Sequence, residues 1–168
     1  LARVCTQENS RTDVDKMIKH FIDNEFVPSA AGKTFETLNP TTNKPITSVA
    51  SGESSDIDKA VKSARKAFDS GPWPRMAAEE RAKYLRRIGQ LIEKHADAIA
   101  EAEIEDTGIP IAQIKKGAIP RAAQNFYFFA EMSTKIAGEV FPVEGKSINY
   151  TTRRPVGVAG LITPWNTP

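Results

Sequence analysis

The run Val156-Gly157-Val158-Ala159-Gly160-Leu161-Ile162 is apolar throughout and passes directly into Thr163-Pro164-Trp165-Asn166-Thr167-Pro168. Such a run reads as a strand buried on both faces, a type found in parallel sheets covered by helices. A strand of that kind needs neighbours on both edges and helices above and below it. The chain supplies helical patterns before it, but no second such run and no helix after it. The sequence therefore reads as the first third of an α/β protein. In open α/β sheets, ligands bind just past the carboxyl ends of strands. Trp165 and Asn166 fall there, and a side-chain amide in that place suits donation to a developing oxyanion. On spacing alone, the plainer reading is that Asn166 only shapes a Pro-Trp-Asn turn.

Upstream, Thr12 with Asp15 three residues on suggests a short helix carrying Val14, Met17, Ile18 and Phe21 on one face. Phe21 to Val27 reads as two short strands about a turn at Asp23-Asn24. Thr34 to Leu38 and Ile46 to Ala50 read as strands around the turn cluster Asn39 to Pro45. Ser55, with Asp58 three residues on, caps a predicted helix with Ile57, Ala60, Val61, Ala64 and Phe68 on one face. Gly71-Pro72-Trp73-Pro74 ends it. A second helix begins near Ala78 on Ala82, Leu85, Ile88 and Ile92, breaks near Ala96-Asp97, and continues through Ile104 to a stop at Gly108. A further helical pattern runs from Ile111 to Ile136. Pro120 interrupts it, so the helix either kinks there or begins its main body with a first-turn proline. From Glu139 the chain turns extended, with Gly145 between Val140-Phe141-Pro142-Val143 and Ser147 to Arg154.

Net charge is +2 with both signs interspersed, which argues against nucleic acid and anionic membranes as partners. No apolar stretch approaches the ~20 residues that span a bilayer, and no apolar signal segment opens the chain. Cys5 is the single cysteine, which excludes an internal disulfide and points to a reducing, cytoplasmic setting. It stands in a polar terminus with no histidine near it in sequence, so it is a poor nucleophile. His20 and His95 lack ligand spacing, so no metal site is expected.

Ordered segments over most of the chain resemble the aldehyde dehydrogenase superfamily. They are Asn39-Pro40-Thr41-Thr42, Ala67 to Trp73, Arg81 to Glu93, Glu105-Asp106-Thr107-Gly108, Gly138-Glu139-Val140 and Arg154 to Asn166. The resemblance implies an α/β fold with a Rossmann-type cofactor domain, N-terminal helices and a projecting β oligomerisation arm. It implies residues 1–138 as the N-terminal part of the cofactor domain, 139–155 as the arm, and 156–168 as the first core strand leading to the catalytic asparagine. The catalytic domain, with its nucleophilic cysteine and general-base glutamate, would lie downstream.

The activity implied is oxidation of an aldehyde to an acid with NAD, NADP not being excluded, through a cysteine thiohemiacetal. By the same resemblance Asn166 is the oxyanion donor and Ile162, Thr163, Pro164 and Trp165 line the cofactor site. The assembly implied is a homodimer or homotetramer.

Asp106 to Ile111 and Ile119 to Glu131 further resemble the 5-carboxymethyl-2-hydroxymuconate semialdehyde dehydrogenases of 4-hydroxyphenylacetate catabolism. The residues themselves give modest support to an acidic substrate. Arg121, Asn125, Phe128 and Met132 share a helix face at spacings of four, three and four, continuing the apolar line of Ile114. An arginine on an apolar line is costly to bury without an anion, and its planar fork suits a carboxylate. From spacing alone the plainer reading is an internal ion pair to a glutamate, or a side chain reaching to water; the resemblance raises the substrate role beside it. Arg121 and Asn125 are thus the candidate substrate residues. Two alternatives stand beside this reading. One is an aldehyde dehydrogenase for betaine aldehyde or aliphatic aldehydes. The other is a truncated, non-catalytic oligomerisation fragment.

Overall fold

The computed structural model describes residues 17–145 and 147–164. Two compact units form. One is drawn from residues up to Ser63 together with Glu105–Gly108, the other from Ala64–Ile104 and from Ile109 onward.

In the first unit, strands β1 (His20–Ile22) and β2 (Glu25–Val27) make an antiparallel hairpin. Asp23 and Asn24 take left-handed backbone, with φ of 53° and 66°, which matches the right-handed twist of a two-residue hairpin. The Phe21 and Phe26 rings meet across it at 5.1 Å. Strands β3 (Thr34–Leu38) and β4 (Pro45–Ala50) form a second antiparallel pair. In the connection between them, the Asn39 side chain accepts the N–H groups of Thr41 and Thr42.

The helix expected from Thr12 is not seen where it can be checked. Residues 12–16 lie outside the described residues, and Phe21 belongs to β1. The Ile18 N–H donates to Ser48 O at 2.9 Å, and the Ala50 N–H to Ile18 O at 2.8 Å. A partner strand thirty residues away captured a segment whose local spacing was ambiguous between helix and strand.

Helix α1 (Ser54–Ser70) starts one residue before the expected cap, and Asp56 rather than Asp58 closes it. The Asp56 carboxylate accepts the Glu53 N–H at 3.2 Å and the Ala30 N–H at 3.0 Å. Of the expected apolar face of α1, Ile57 and Val61 stay exposed.

In the second unit, a single 3-10 turn at Trp73–Arg75 leads to α2 (Ala78–Lys94). His95 breaks the line and α3 (Ala96–Thr107) follows. Gly108 ends it at φ +71°, in the first unit, where a Cβ would press on Pro40. A short α4 (Ile111–Gln113) enters a widened turn at Ile114–Ala118, and α5 (Ile119–Met132) leaves it. The kink-or-start alternative at Pro120 resolves as a first-turn proline in α5, directly after the widened turn. Ala100, Ile114 and Ile119 are the buried centre, with Ile92, Ala96, Ile104 and Ile109 packed around them. Helices α2 and α5 pack along their length. Strands β5 (Val140–Phe141) and β6 (Asn149–Tyr150) pair as a hairpin, with Gly145 at φ +113° in its loop.

The expected buried strand from Val156 to Ile162 is absent. No strand forms there, and Val156, Leu161 and Ile162 are exposed. A parallel-type strand has no hydrogen-bonded ladder of its own, and no described strand lies beside it to supply one.

Candidate active site

Helix α5 presents the substrate-side candidates. Its inward residues are Ile119, Ala123 and Ala130. They seat it against α2, where Tyr127 lies over Gly89, and a Cβ on that glycine would stand 2.5 Å from the Tyr127 ring. Tyr127 also donates its hydroxyl proton to Glu93 at 2.7 Å. That hydrogen bond, assisted by burial, raises the Tyr127 phenol above its ordinary range. Upstream, Lys115 makes a surface ion pair with Asp97 at 2.6 Å. The same bond holds the Asp97 carboxyl below its usual range.

With α5 so seated, Arg121 and Asn125 stand one turn apart on its outer face, both exposed. Phe128 and Met132 continue the face at 57% and 39% exposure. The grouping of these four residues is as expected, but their burial is not. Ile114 is 1% exposed while Arg121 points away from that core. The reason is local: the widened turn at 114–118 shifts the helix register between them. The cost of burying an arginine therefore does not arise in this unit. Neither does the internal ion pair, because the Arg121 guanidinium has no partner among the described residues. Among the described residues it is an unpaired planar cation on α5, on the face that carries an amide and two apolar side chains.

Of the residues expected at the cofactor site, Ile162, Thr163 and Pro164 are exposed and outside any helix or strand, Ile162 at 100%. Trp165 and Asn166 lie outside the described residues, as does Cys5. No group of three or more potential metal ligands occurs among the described residues. No described helix is long and apolar enough to cross a membrane. Gly157-Val158-Ala159 meets Ala64, Ala67, Phe68, Trp73 and Pro74 in an open apolar groove of about 340 Å³.

Two features that organise the site were not read from the sequence. Gly89 in the middle of a helix is one. Its cost of about 1 kcal/mol there is the usual sign of close packing. The other is the widened turn, for which Pro120 was the visible signal.

The model of the aldehyde dehydrogenase family matches residues 26–168. The chain belongs to the aldehyde dehydrogenase family. An Arabidopsis thaliana relative, aldehyde dehydrogenase family 2 member B4, is 46% identical over 147 residues, which is 88% of this chain and 27% of that protein. The 5-carboxymethyl-2-hydroxymuconate semialdehyde dehydrogenase of Escherichia coli is 42% identical over 153 residues, 91% of this chain and 32% of that protein. The NAD+ complex of an aldehyde dehydrogenase from Bacillus cereus superposes with a TM-score of 0.81 at 40% identity, covering 84% of this chain and 29% of that one. The fold is thus of the aldehyde dehydrogenase α/β type. The chain spans about three tenths of the length of these family members.

Proposed function

We propose that this chain works within an NAD-dependent aldehyde dehydrogenase whose substrate is a semialdehyde carrying a carboxylate, of the 5-carboxymethyl-2-hydroxymuconate semialdehyde type. The observation that carries the reading is the Arg121 guanidinium, exposed on α5 beside Asn125 and unpaired among the described residues. It offers a carboxylate two parallel N–H donors. In this reading Asn125 orients the same group, and Phe128 and Met132 supply an apolar wall for the carbon chain.

The residues at the cofactor side fit one wall of a dinucleotide site. Ile162 and Pro164 would offer apolar surface to a flat ring, and no described loop has the glycine spacing that cradles phosphates. NAD, when bound, supplies the hydride acceptor. Asn166 donates its amide N–H to the aldehyde oxygen as negative charge builds there, a placement worth about 3–4 kcal/mol of barrier when preorganised. The segment 139–155 is read as the arm of a homodimer or homotetramer. Supporting that reading, Val140, Phe141, Ile148 and Tyr150 are all exposed on and beside the β5–β6 hairpin. Residues 156–168 are read as the core strand that sheet neighbours would order.

The test replaces Arg121 with Met in the full-length protein and compares 4-oxobutanoate with butanal. Losing a charge-assisted pair is expected to lower kcat/KM for 4-oxobutanoate by about 10- to 100-fold, with butanal within about twofold. Equal effects on both aldehydes would favour a neutral-aldehyde enzyme and remove Arg121 from the substrate site.

A further inference from the structure

Within residues 114–118 the helix leading to Arg121 departs from regular geometry. The Ile119 N–H donates to Ile114 O, a step of five residues where an α-helix takes four. The buried positions carry the same extra residue: Ile114, then Ile119, then Ala123, then Ala130. An uninterrupted helix advances about 100° per residue. The line below Ile114 would then pass through Ala118, Arg121, Asn125, Phe128 and Met132, turning the arginine inward. The widened turn offsets everything after it by one residue, about 100°. Ile119, Ala123 and Ala130 come under Ile114 instead, and the Arg121 face is turned outward.

Pro120 disfavours the regular alternative. Its nitrogen has no proton for Lys116 O, and its ring would press on that carbonyl in a four-residue turn. Both ends of the turn are anchored. Before it, Ile114 is buried in the cluster with Ala100 and Ile119. After it, Tyr127 sits on Gly89. Gly117 is exposed, and nothing lies within 4 Å of where its Cβ would be.

We propose that Pro120 is a positioning residue for the Arg121 site: it holds the turn in its five-residue form and so fixes the guanidinium on the outer face of α5, within reach of the substrate carboxylate. This rests on the substrate reading of Arg121 given above. Replacing Pro120 with Ala admits the four-residue register. Deleting Gly117 from that variant places Ile114 and Ile119 four residues apart, so a regular helix keeps both inward and Arg121 outward.

The experiment measures KM and kcat of the full-length protein with 4-oxobutanoate and butanal. Pro120→Ala is expected to raise KM for 4-oxobutanoate about tenfold, with kcat and the butanal KM within about twofold. The Gly117 deletion in the same background is expected to return the 4-oxobutanoate KM to within about twofold of the parent. An unchanged KM ratio in Pro120→Ala, an equal loss on both aldehydes, or no recovery on deletion overturns the proposal.

A second readout does not depend on substrate. Arg121→Cys and Ile119→Cys are alkylated with iodoacetamide, each with and without Pro120→Ala. Position 121 is expected to react fast and 119 slowly with Pro120 present, and the contrast is expected to narrow without it. An unchanged contrast also overturns the register role. If Arg121→Met spares 4-oxobutanoate, the substrate reading fails by itself, and the alkylation contrast still decides the register.

Discussion

The Tyr127 ring fills the space that any side chain at position 89 would need: a Cβ on Gly89 would stand 2.5 Å from Cε1 and 2.9 Å from Cζ. Helix α2 therefore gives up the helical preference of an alanine so that α5 can approach closely. Gly89→Ala sets a propensity gain of up to about 1 kcal/mol against an overpacking cost of about 1–3 kcal/mol. A net loss of stability is expected in urea unfolding. Adding Tyr127→Leu is expected to recover part of it. A Gly89→Ala protein as stable as the parent would mean that the ring moves aside freely.

Tyr127 also gives a pH signature at the other edge of the spectrum. Its hydroxyl donates to the Glu93 carboxylate, which raises the phenol pKa. A raised pKa favours the protonated form in the folded state. The stabilisation is therefore complete below the ordinary tyrosine value of about 10 and disappears as pH rises through the raised one. Glu93→Gln is expected to shift one phenolate transition downward in an ultraviolet absorbance titration. Superimposable curves for the two proteins would show that the hydrogen bond is not held in solution.

Asp56 titrates with the opposite sense. The Glu53 N–H, and then the Ala30 N–H, hold its carboxyl below the usual range against the opposing effect of burial. A lowered pKa means that the stabilisation is present above the unfolded value of about 3.9 and is lost as pH falls through the folded one. The parent is expected to exceed Asp56→Asn in stability at neutral pH by a margin that shrinks only in acid. Amide exchange at Ala30 and Glu53 is expected to quicken in the same range. A margin independent of pH would assign the difference to shape rather than charge.

What the sequence made legible follows a physical division. Elements set by neighbours within a turn or two were readable: the Asp23-Asn24 hairpin, the β3–β4 pair, the break after α2 and the glycine stop at Gly108. Elements set by distant partners were not. Ile18 fits a helical spacing, and only β4 draws it into a ladder. Val156 to Ile162 has the composition of a buried strand, yet composition supplies no hydrogen-bonded neighbour. The face carrying Arg121, Asn125, Phe128 and Met132 was grouped correctly and aimed wrongly. A periodicity argument counts 3.6 residues per turn and has no means of seeing one turn wound with five.

That wider turn also bears on how chains of this family are to be compared. One residue more than a helix needs is present between Ile114 and Ile119, with Gly117 at its outer edge. A chain one residue shorter at this point, and free of the proline, would keep both isoleucine positions on the inside of a continuous helix. An alignment gap at Gly117 would then mark no change of fold. Forcing the two sequences into gapless register there would pair the arginine of one with an unrelated position of the other, and would carry the role proposed for Arg121 to the wrong residue.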